Sequence, residues 1–90
     1  MYKVIPTSRF KKDLKAVKKR GYNLSLLEAV VEKLKNGETL PAANRDHDLH
    51  GNFEGFRECH ITPDWLLVYA KKDDVLVLSL SRTGTHSDLF

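Results

Sequence analysis

The stretch WLLVYAKKDDVLVLSL, residues 65–80, decides the fold of this chain. Residues 65–69 are apolar at every position, a pattern typical of a central strand that is covered on both faces. The charged run at residues 71–74 predicts a polar turn, and the apolar run at residues 75–80 predicts a last strand. Strands joined by so short a turn pair antiparallel, so we predict a hairpin within a sheet.

The residues before this hairpin predict two helices and two further strands. Residues 2–5 are rich in β-forming side chains and predict a first strand, which Pro6 ends. Two helices follow, one from residue 7 or 8 to about residue 20 and one from about residues 23–25 to residue 36, each with an apolar stripe. Residues 38–51 are predicted to form a long loop, and residues 53–61 a strand with a bulge at Gly55.

The predicted order of elements is therefore β-α-α-β-β-β. This is an α+β fold in one domain that spans residues 1–90. We expect a mainly antiparallel sheet with both helices packed on one face. The other face is then open for a ligand or a partner.

Charge and cysteine content bear on partners and compartment. The formal net charge of +3 and the pI of about 9.1 mildly favour polyanions or an acidic partner. Cys59 is the only cysteine, so no internal disulfide can form and a reducing compartment fits best. No long apolar stretch follows the N-terminal residues, which argues against a signal peptide or a membrane span. We therefore expect a cytoplasmic protein.

Two short segments place reactive side chains at the ends of predicted strands. They are RTGTHSDLF at residues 82–90, which follows the last strand, and CHITPDW at residues 59–65. Together they supply imidazole, carboxylate and guanidinium groups and two aromatic rings: His60, Asp64, Trp65, Arg82, His86 and Phe90.

Cleavage of RNA by its own 2′-hydroxyl requires such a set of groups. A base removes the hydroxyl proton, an acid protonates the leaving 5′-oxygen, and a cation stabilises the phosphate. Histidine or aspartate can supply the first two functions, and the guanidinium of Arg82 matches phosphate oxygens with paired donors. Trp65 and Phe90 would stack on unpaired bases, each contributing ~1–3 kcal/mol.

Each of these residues also has a structural interpretation. Trp65 is equally a core residue, Asp64 a turn residue after a proline, and Phe90 a frayed terminus. Arg82 is alternatively a surface ion-pair partner. Strict alternation along the last strand places Arg82 on the helix-covered face, so the strand must twist, bulge or end before Arg82 to present it to a ligand.

The first helix carries a basic surface, from which Lys11 and Lys15 are candidates for contacts with an RNA backbone. The alternative is a solvated helix face without function. No histidine pair has the helical spacing of a zinc site, and one cysteine is too few for one. We therefore expect neither a metal nor another cofactor.

From about residue 45 to its end the chain resembles the YafQ-type branch of the RelE/ParE toxin superfamily. The residues that carry the resemblance are RDH at 45–47, Leu49, Gly51, GFRE at 55–58, His60, PDW at 63–65, Tyr69, RTGTH at 82–86 and Leu89-Phe90. Members are small toxins of type II toxin–antitoxin systems, with a sheet flanked by helices.

The resemblance implies a ribosome-dependent endoribonuclease that cuts messenger RNA without a metal and leaves a cyclic phosphate. It implies that His86 is the leading proton donor or acceptor, that Arg82 stabilises the phosphate and that Phe90 positions a base. The remaining positions share acid–base work, orient the catalytic groups or hold the phosphate, and the order of acid and base stays open. The implied catalytic positions are His47, His60, Asp64, Arg82 and His86.

The resemblance also implies partners. These are the ribosome, messenger RNA and a cognate antitoxin, which is acidic in its binding segment and, if dimeric, gives a heterotetramer. The alternative function is a non-catalytic toxin or binding module of the same fold, directed at DNA gyrase or binding RNA.

Overall fold

Five strands and three α-helices make up the computed structural model, which describes residues 1–90. One mixed sheet contains all five strands, in the order β1-β5-β4-β3-β2. The pair β1/β5 is parallel, and the other three pairs are antiparallel. In chain order the elements are β1 (Lys3–Pro6), α1 (Ser8–Lys19), α2 (Leu24–Lys35), β2 (His47–Asp48), β3 (Arg57–Thr62), β4 (Trp65–Lys72), β5 (Val77–Gly84) and α3 (His86–Leu89).

The predicted α+β fold, with a mainly antiparallel sheet and two helices on one face, is confirmed, and four details differ. The predicted loop at residues 38–51 contains the two-residue strand β2, and the chain ends in the one-turn helix α3. Strand β3 begins at Arg57, because a 3₁₀ turn at Gly51–Phe53 precedes it. Strand β5 begins at Val77, because the preceding Leu76 has a left-handed φ of 52°. None of the helices is long and apolar enough to cross a membrane.

The main core lies between the sheet and the helices α1 and α2. Alternate residues of β4 point into it, namely Trp65, Leu67 and Tyr69, while Leu66, Val68 and Ala70 point to the opposite face and are also buried. Strand β4 is thus covered on both faces, as its unbroken apolar sequence predicts. The helices, β3, β5 and the segment after α2 contribute the rest of the core: Phe10, Val17, Leu27, Val30, Leu34, Leu40, Cys59, Leu78 and Leu80.

The second face of the sheet is less open than predicted. Leu66 and Val68 are 0% and 1% exposed on that face. Phe53 and Phe56 line a cavity with Val68 there, and the ring of Phe53 meets that of Phe90 at 5.2 Å between centroids. The expectation of a fully open face is therefore corrected, because the segment before β3 and the C-terminus cover part of it.

A β-bulge decides where Arg82 points. Val68 pairs with Arg82, but the next residue of β4, Tyr69, pairs with Leu80, so Ser81 has no partner. An extra residue in one strand inverts the alternation beyond it. Arg82 therefore lies on the second face with Val68, whereas Leu80 points into the helix-covered core. This bulge is the irregularity that a functional Arg82 requires.

Candidate active site

One row of paired residues runs across four strands of the sheet. His47 pairs with Glu58, Glu58 with Val68, and Val68 with Arg82. Directly paired residues point to the same face, and neighbouring strands lie ~4.8 Å apart. The second face therefore presents an imidazole and a carboxylate on one side of Val68 and a guanidinium on its other side. In the next row, His60 pairs with Leu66 and Leu66 with Gly84.

Glu58 joins two of the predicted histidines. Its Oε1 lies 3.7 Å from Nε2 of His47 and 3.7 Å from Nε2 of His60. Glu58 is 5% exposed, so this carboxylate lies in a poorly solvated position below the imidazoles. The ring of His86 lies 5.7 Å from that of His60. The structure thus brings together His47, His60 and His86 around a carboxylate to which the sequence analysis assigned no role.

The three imidazoles share one mode of anchoring. Nδ1 of His47 lies 2.6 Å from the carbonyl oxygen of Arg45, and Nδ1 of His60 lies 3.2 Å from that of Pro63. Nδ1 of His86 lies 3.0 Å from Oδ1 of Asp64. A carbonyl or carboxylate oxygen can only accept, so each Nδ1 carries the hydrogen. Each Nε2 is then the atom available for proton exchange.

Asp64 holds His86 by two contacts. Its Oδ1 accepts from the Nδ1 of His86 and, at 3.4 Å, from the backbone N–H of His86. This hydrogen bonding lowers the pKa of the Asp64 carboxyl below its ordinary value. Asp64 is therefore an anion at neutral pH, and a fixed anion on Nδ1 stabilises the protonated imidazole.

Arg82 is tied to helix α1. Its Nε and Nη2 donate to Asp13, at 2.6 Å to Oδ2 and 3.2 Å to Oδ1. The Arg82 side chain is 21% exposed, so the helix does not bury it. A guanidinium has five N–H donors, and three remain for a phosphate. The ion-pair interpretation of Arg82 is therefore confirmed, and its contact with a phosphate stays a prediction.

Of the three predicted substrate contacts on this side of the sheet, that of Trp65 is corrected by its position, and those of Lys11 and Lys15 stay predictions. Trp65 is 2% exposed on the helix-covered face, where its Nε1 donates to Oγ1 of Thr83 at 2.9 Å and its ring packs edge-on against Tyr22. A buried indole cannot stack on a base. Lys11 and Lys15 are exposed, but each lies about 160° around α1 from Asp13, so they face away from the site.

Phe90 remains a candidate for a base contact. It is 58% exposed and packs edge-on against Phe53 at the border of the second face. A cleft of about 330 Å³ opens beside His60, and residues 43–45 and 60–63 line it. It includes Arg45, an exposed cation that belongs to the resemblance but to which no role was assigned. An RNA chain that reached His60 through this cleft would meet that cation.

The site also offers atoms that could hold a metal. One ligand atom from each of Glu58, His60 and His86 lies within 4.8 Å of the others. Two imidazole nitrogens and a carboxylate oxygen suit zinc or copper. No spacing in the sequence indicates this set, because its members come from two separate parts of the chain rather than from one helix. Cys59 is excluded as a ligand or nucleophile, because burial raises the pKa of its thiol to about 12.

Comparison with known protein families adds a match over nearly the whole chain. Residues 2–90 match the model of a family described as the YafQ bacterial toxin of type II toxin–antitoxin systems. The chain is 38% identical over 85 residues to the mRNA interferase toxin YafQ of Escherichia coli K12. This alignment covers 93% of this chain and 90% of that protein. It is 34% identical over 90 residues to a putative toxin YafQ of Haemophilus influenzae, covering 94% and 88%.

Solved structures agree with this match. A metal-bound toxin from Helicobacter pylori superposes with a TM-score of 0.94 at 43% identity, covering 100% of both chains. YafQ in the Escherichia coli DinJ–YafQ complex superposes with a TM-score of 0.90 at 35% identity, covering 100% of this chain and 99% of that one. The fold and the arrangement of its strands are therefore shared with proteins of closely related sequence.

Proposed function

The chain belongs to the YafQ family of bacterial toxins of type II toxin–antitoxin systems, and from this premise we propose that it is an mRNA interferase, an endoribonuclease that cleaves messenger RNA. The observation that carries the proposal is the convergence of three imidazoles, anchored through Nδ1, on one face with Arg82. Such a set can take a proton, give a proton and stabilise a phosphate without a cofactor.

The proposed reaction is an internal transfer. An imidazole Nε2 accepts the proton of the 2′-hydroxyl, and the 2′-oxygen attacks the adjacent phosphorus. The bond from phosphorus to the 5′-oxygen breaks, and a protonated imidazole gives its proton to that oxygen. The products are a 2′,3′-cyclic phosphate and a free 5′-hydroxyl. Atoms and charge balance without an added water or metal.

The residues divide this work by position. His86 is the leading proton donor or acceptor, because Asp64 orients its ring and stabilises its protonated form. His60 and His47 supply the partner function through their contact with Glu58. The three free donors of Arg82 take the phosphate oxygens, whose negative charge grows in the transition state. Phe90 would hold a neighbouring base.

We propose the ribosome as the place of cleavage. The imidazoles are the strongest bases of the site, and imidazole is a weak base for a hydroxyl proton, so precise orientation of the RNA must supply much of the rate. The ribosome could supply that orientation by holding the messenger in one conformation. Comparison of cleavage rates on naked and ribosome-bound RNA tests this, and equal rates would contradict it. A toxin that acts on ribosomes must reach them, so we also propose the cytoplasm as its compartment.

We propose a cognate antitoxin as the second partner. The relative from Escherichia coli is found in complex with DinJ. In this chain the exposed cation Arg45, the partly exposed Arg82 and the net charge of +3 favour an acidic segment laid across the second face. A dimeric antitoxin would give a heterotetramer, which light scattering of the purified complex would detect by its mass.

Expression without an antitoxin tests the function in cells. We expect growth arrest with cleaved messengers, and we expect His86→Ala to relieve the arrest, because loss of a general acid or base lowers the rate on the order of 10²–10⁴-fold. His50→Ala is the matched control: the His50 side chain is 83% exposed, and its one ion pair is with the exposed Glu54, at 3.6 Å. Growth arrest by a folded His86→Ala variant would instead support the non-catalytic alternative.

A further inference from the structure

We infer that helix α1 positions the catalytic groups at the end of β5 through two ion pairs, Asp13 with Arg82 and Arg20 with Asp88. Asp13 and Arg20 are then positioning residues of the proposed reaction, so the inference rests on the function proposed above. Neither residue belongs to the segments that carry the resemblance in sequence, which begin near residue 45.

The two ion pairs lie along one stripe of α1. Arg20 is the C-cap residue that follows α1, and its backbone is still in the right-handed helical region. Asp13 and Arg20 are seven residues apart, which is about two helical turns, so their side chains leave in nearly the same direction. The stripe adjoins the face that buries Phe10 and Val17 in the core. Packing of that apolar face fixes the helix on the sheet, and the stripe then meets the end of β5 and the helix α3 beyond it.

Asp13 fixes the direction of the Arg82 guanidinium. Its carboxylate accepts from Nε and Nη2 of Arg82 and, at 3.1 Å, from the backbone N–H of Thr83. The Asp13 side chain is 15% exposed, so solvent competes little for these bonds. The same carboxylate therefore holds both the side chain and the strand just beyond the bulge, and the three free donors of Arg82 keep one orientation.

Arg20 fixes α3 and, through it, His86. Its Nη1 and Nη2 donate to the two carboxylate oxygens of Asp88, at 2.7 Å and 3.0 Å. The Asp88 carboxylate also accepts from the backbone N–H of Thr85 at 2.9 Å. The Thr85 side chain in turn accepts from the backbone N–H of Asp88 and so caps the start of α3. A helix of one turn has almost no stability of its own. The orientation of α3, and so of the His86 imidazole, therefore depends on contacts from outside, of which this pair is one.

Ion pairs that only stabilise the fold would respond to mutation differently from ion pairs that position catalytic groups. Exposed ion pairs contribute little to stability, and Arg20 is 42% exposed on its side chain, so its loss should cost little in folding. Misplacement of a catalytic group by ~1 Å can lower the rate roughly 100-fold. If the two ion pairs position catalytic groups, loss of either pair should lower kcat and leave Tm and KM nearly constant.

The first experiment measures single-turnover cleavage of ribosome-bound messenger by Asp13→Asn and Arg20→Gln, with Tm recorded in parallel. We expect kcat to fall roughly 10- to 100-fold for each, with KM within about twofold. Arg20→Lys should regain part of the rate, because it restores the charge but not the paired geometry. Lys19→Gln is the matched control, since Lys19 is the neighbouring exposed cation and joins none of the ion pairs.

A double-mutant cycle then separates positioning from other effects. If Asp13 acts through Arg82, Asp13→Asn should change the rate less than about twofold in an Arg82→Ala background. Full additivity in this cycle would overturn the inference for Asp13. Rates within about twofold of wild type for folded Asp13→Asn and Arg20→Gln would overturn it for both pairs.

A measurement without substrate separates this inference from the proposed function. Amide hydrogen exchange reports local opening, and Arg20→Gln should speed exchange at Leu89 and Phe90, whose N–H groups donate within α3 to Thr85 and His86. Unchanged exchange there would contradict the role of Arg20 even in an active enzyme. If the wild-type protein failed to cleave RNA while the variant loosened α3, the proposed function would fail and the structural part of the inference would stand.

Discussion

Replacement of Glu58 by glutamine tests the part of the site that the sequence analysis missed. The carboxylate contacts Nε2 of both His47 and His60 at 3.7 Å, and Glu58→Gln removes its charge while keeping its size. Unit charges ~4 Å apart interact by ~4 kcal/mol at an effective dielectric constant of about 20. The partial exposure of His47 weakens this attraction. We therefore take about 2–3 kcal/mol as the free energy by which Glu58 stabilises a neighbouring imidazole that is protonated in the transition state.

If an imidazole beside Glu58 is protonated in the transition state, that free energy appears in the rate. At ~1.4 kcal/mol per factor of ten, the loss corresponds to a roughly 30- to 160-fold fall in kcat. The assay is single-turnover cleavage of ribosome-bound messenger at neutral pH. Growth arrest on expression gives a second, cellular readout.

The matched control is Glu54→Gln. Glu54 lies 3.6 Å from His50, nearly the same distance, but its side chain is 76% exposed and that of His50 is 83% exposed. An exposed pair contributes little, so we expect the control to cleave at the wild-type rate. A folded Glu58→Gln variant within about threefold of wild type would refute a role for Glu58 in proton transfer.

Three further predictions follow from the same contacts. Trp65→Phe loses the hydrogen bond to Thr83, so it should lower the free energy of unfolding by about 1–3 kcal/mol and leave kcat unchanged. A large loss of kcat would instead show that Trp65 contributes to the active site. The ion pair with Arg20 holds the pKa of Asp88 well below its usual range, so its stabilisation is complete above about pH 5 and is lost as the pH falls through the lowered pKa. The Tm difference between wild type and Asp88→Asn should therefore stay constant from pH 8 to pH 5 and narrow only below about pH 4, and narrowing above pH 5 would contradict this. Zinc ions should inhibit cleavage by occupying the nitrogens that exchange protons, while a chelator should leave the wild-type rate unchanged; activation by zinc would contradict the metal-free mechanism.

Elements with a repeated pattern could be predicted from the sequence. The unbroken apolar run of β4 indicated a strand covered on both faces, and the apolar stripes of α1 and α2 indicated their buried sides. Periodicity is a local signal that many residues repeat, so it survives small irregularities. Strand β2 and helix α3 have two and four residues, too few to repeat any pattern, and both escaped prediction.

Contacts between distant parts of the chain could not be predicted in this way. The pairs Asp13–Arg82 and Arg20–Asp88 join residues that are 69 and 68 positions apart, and their geometry depends on how α1 packs on the sheet. The face on which Arg82 lies depends on the unpaired Ser81, which no local signal marks. Glu58 was within reach, since it lies two residues before His60 in a strand and so faces the same side.

The chemistry of the RNA ends tests the central claim most directly, because only attack by the 2′-hydroxyl leaves a cyclic phosphate. Messenger cleaved on ribosomes by the purified protein would be analysed by mass spectrometry of both fragments, the upstream one for its 3′ end and the downstream one for its 5′ end, with His86→Ala in parallel. We expect 2′,3′-cyclic phosphate and 5′-hydroxyl ends from the wild-type protein and no such ends above background from the variant. Fragments with 5′-phosphate ends, or equal yields of cyclic phosphate from His86→Ala, would contradict acid–base cleavage by these imidazoles.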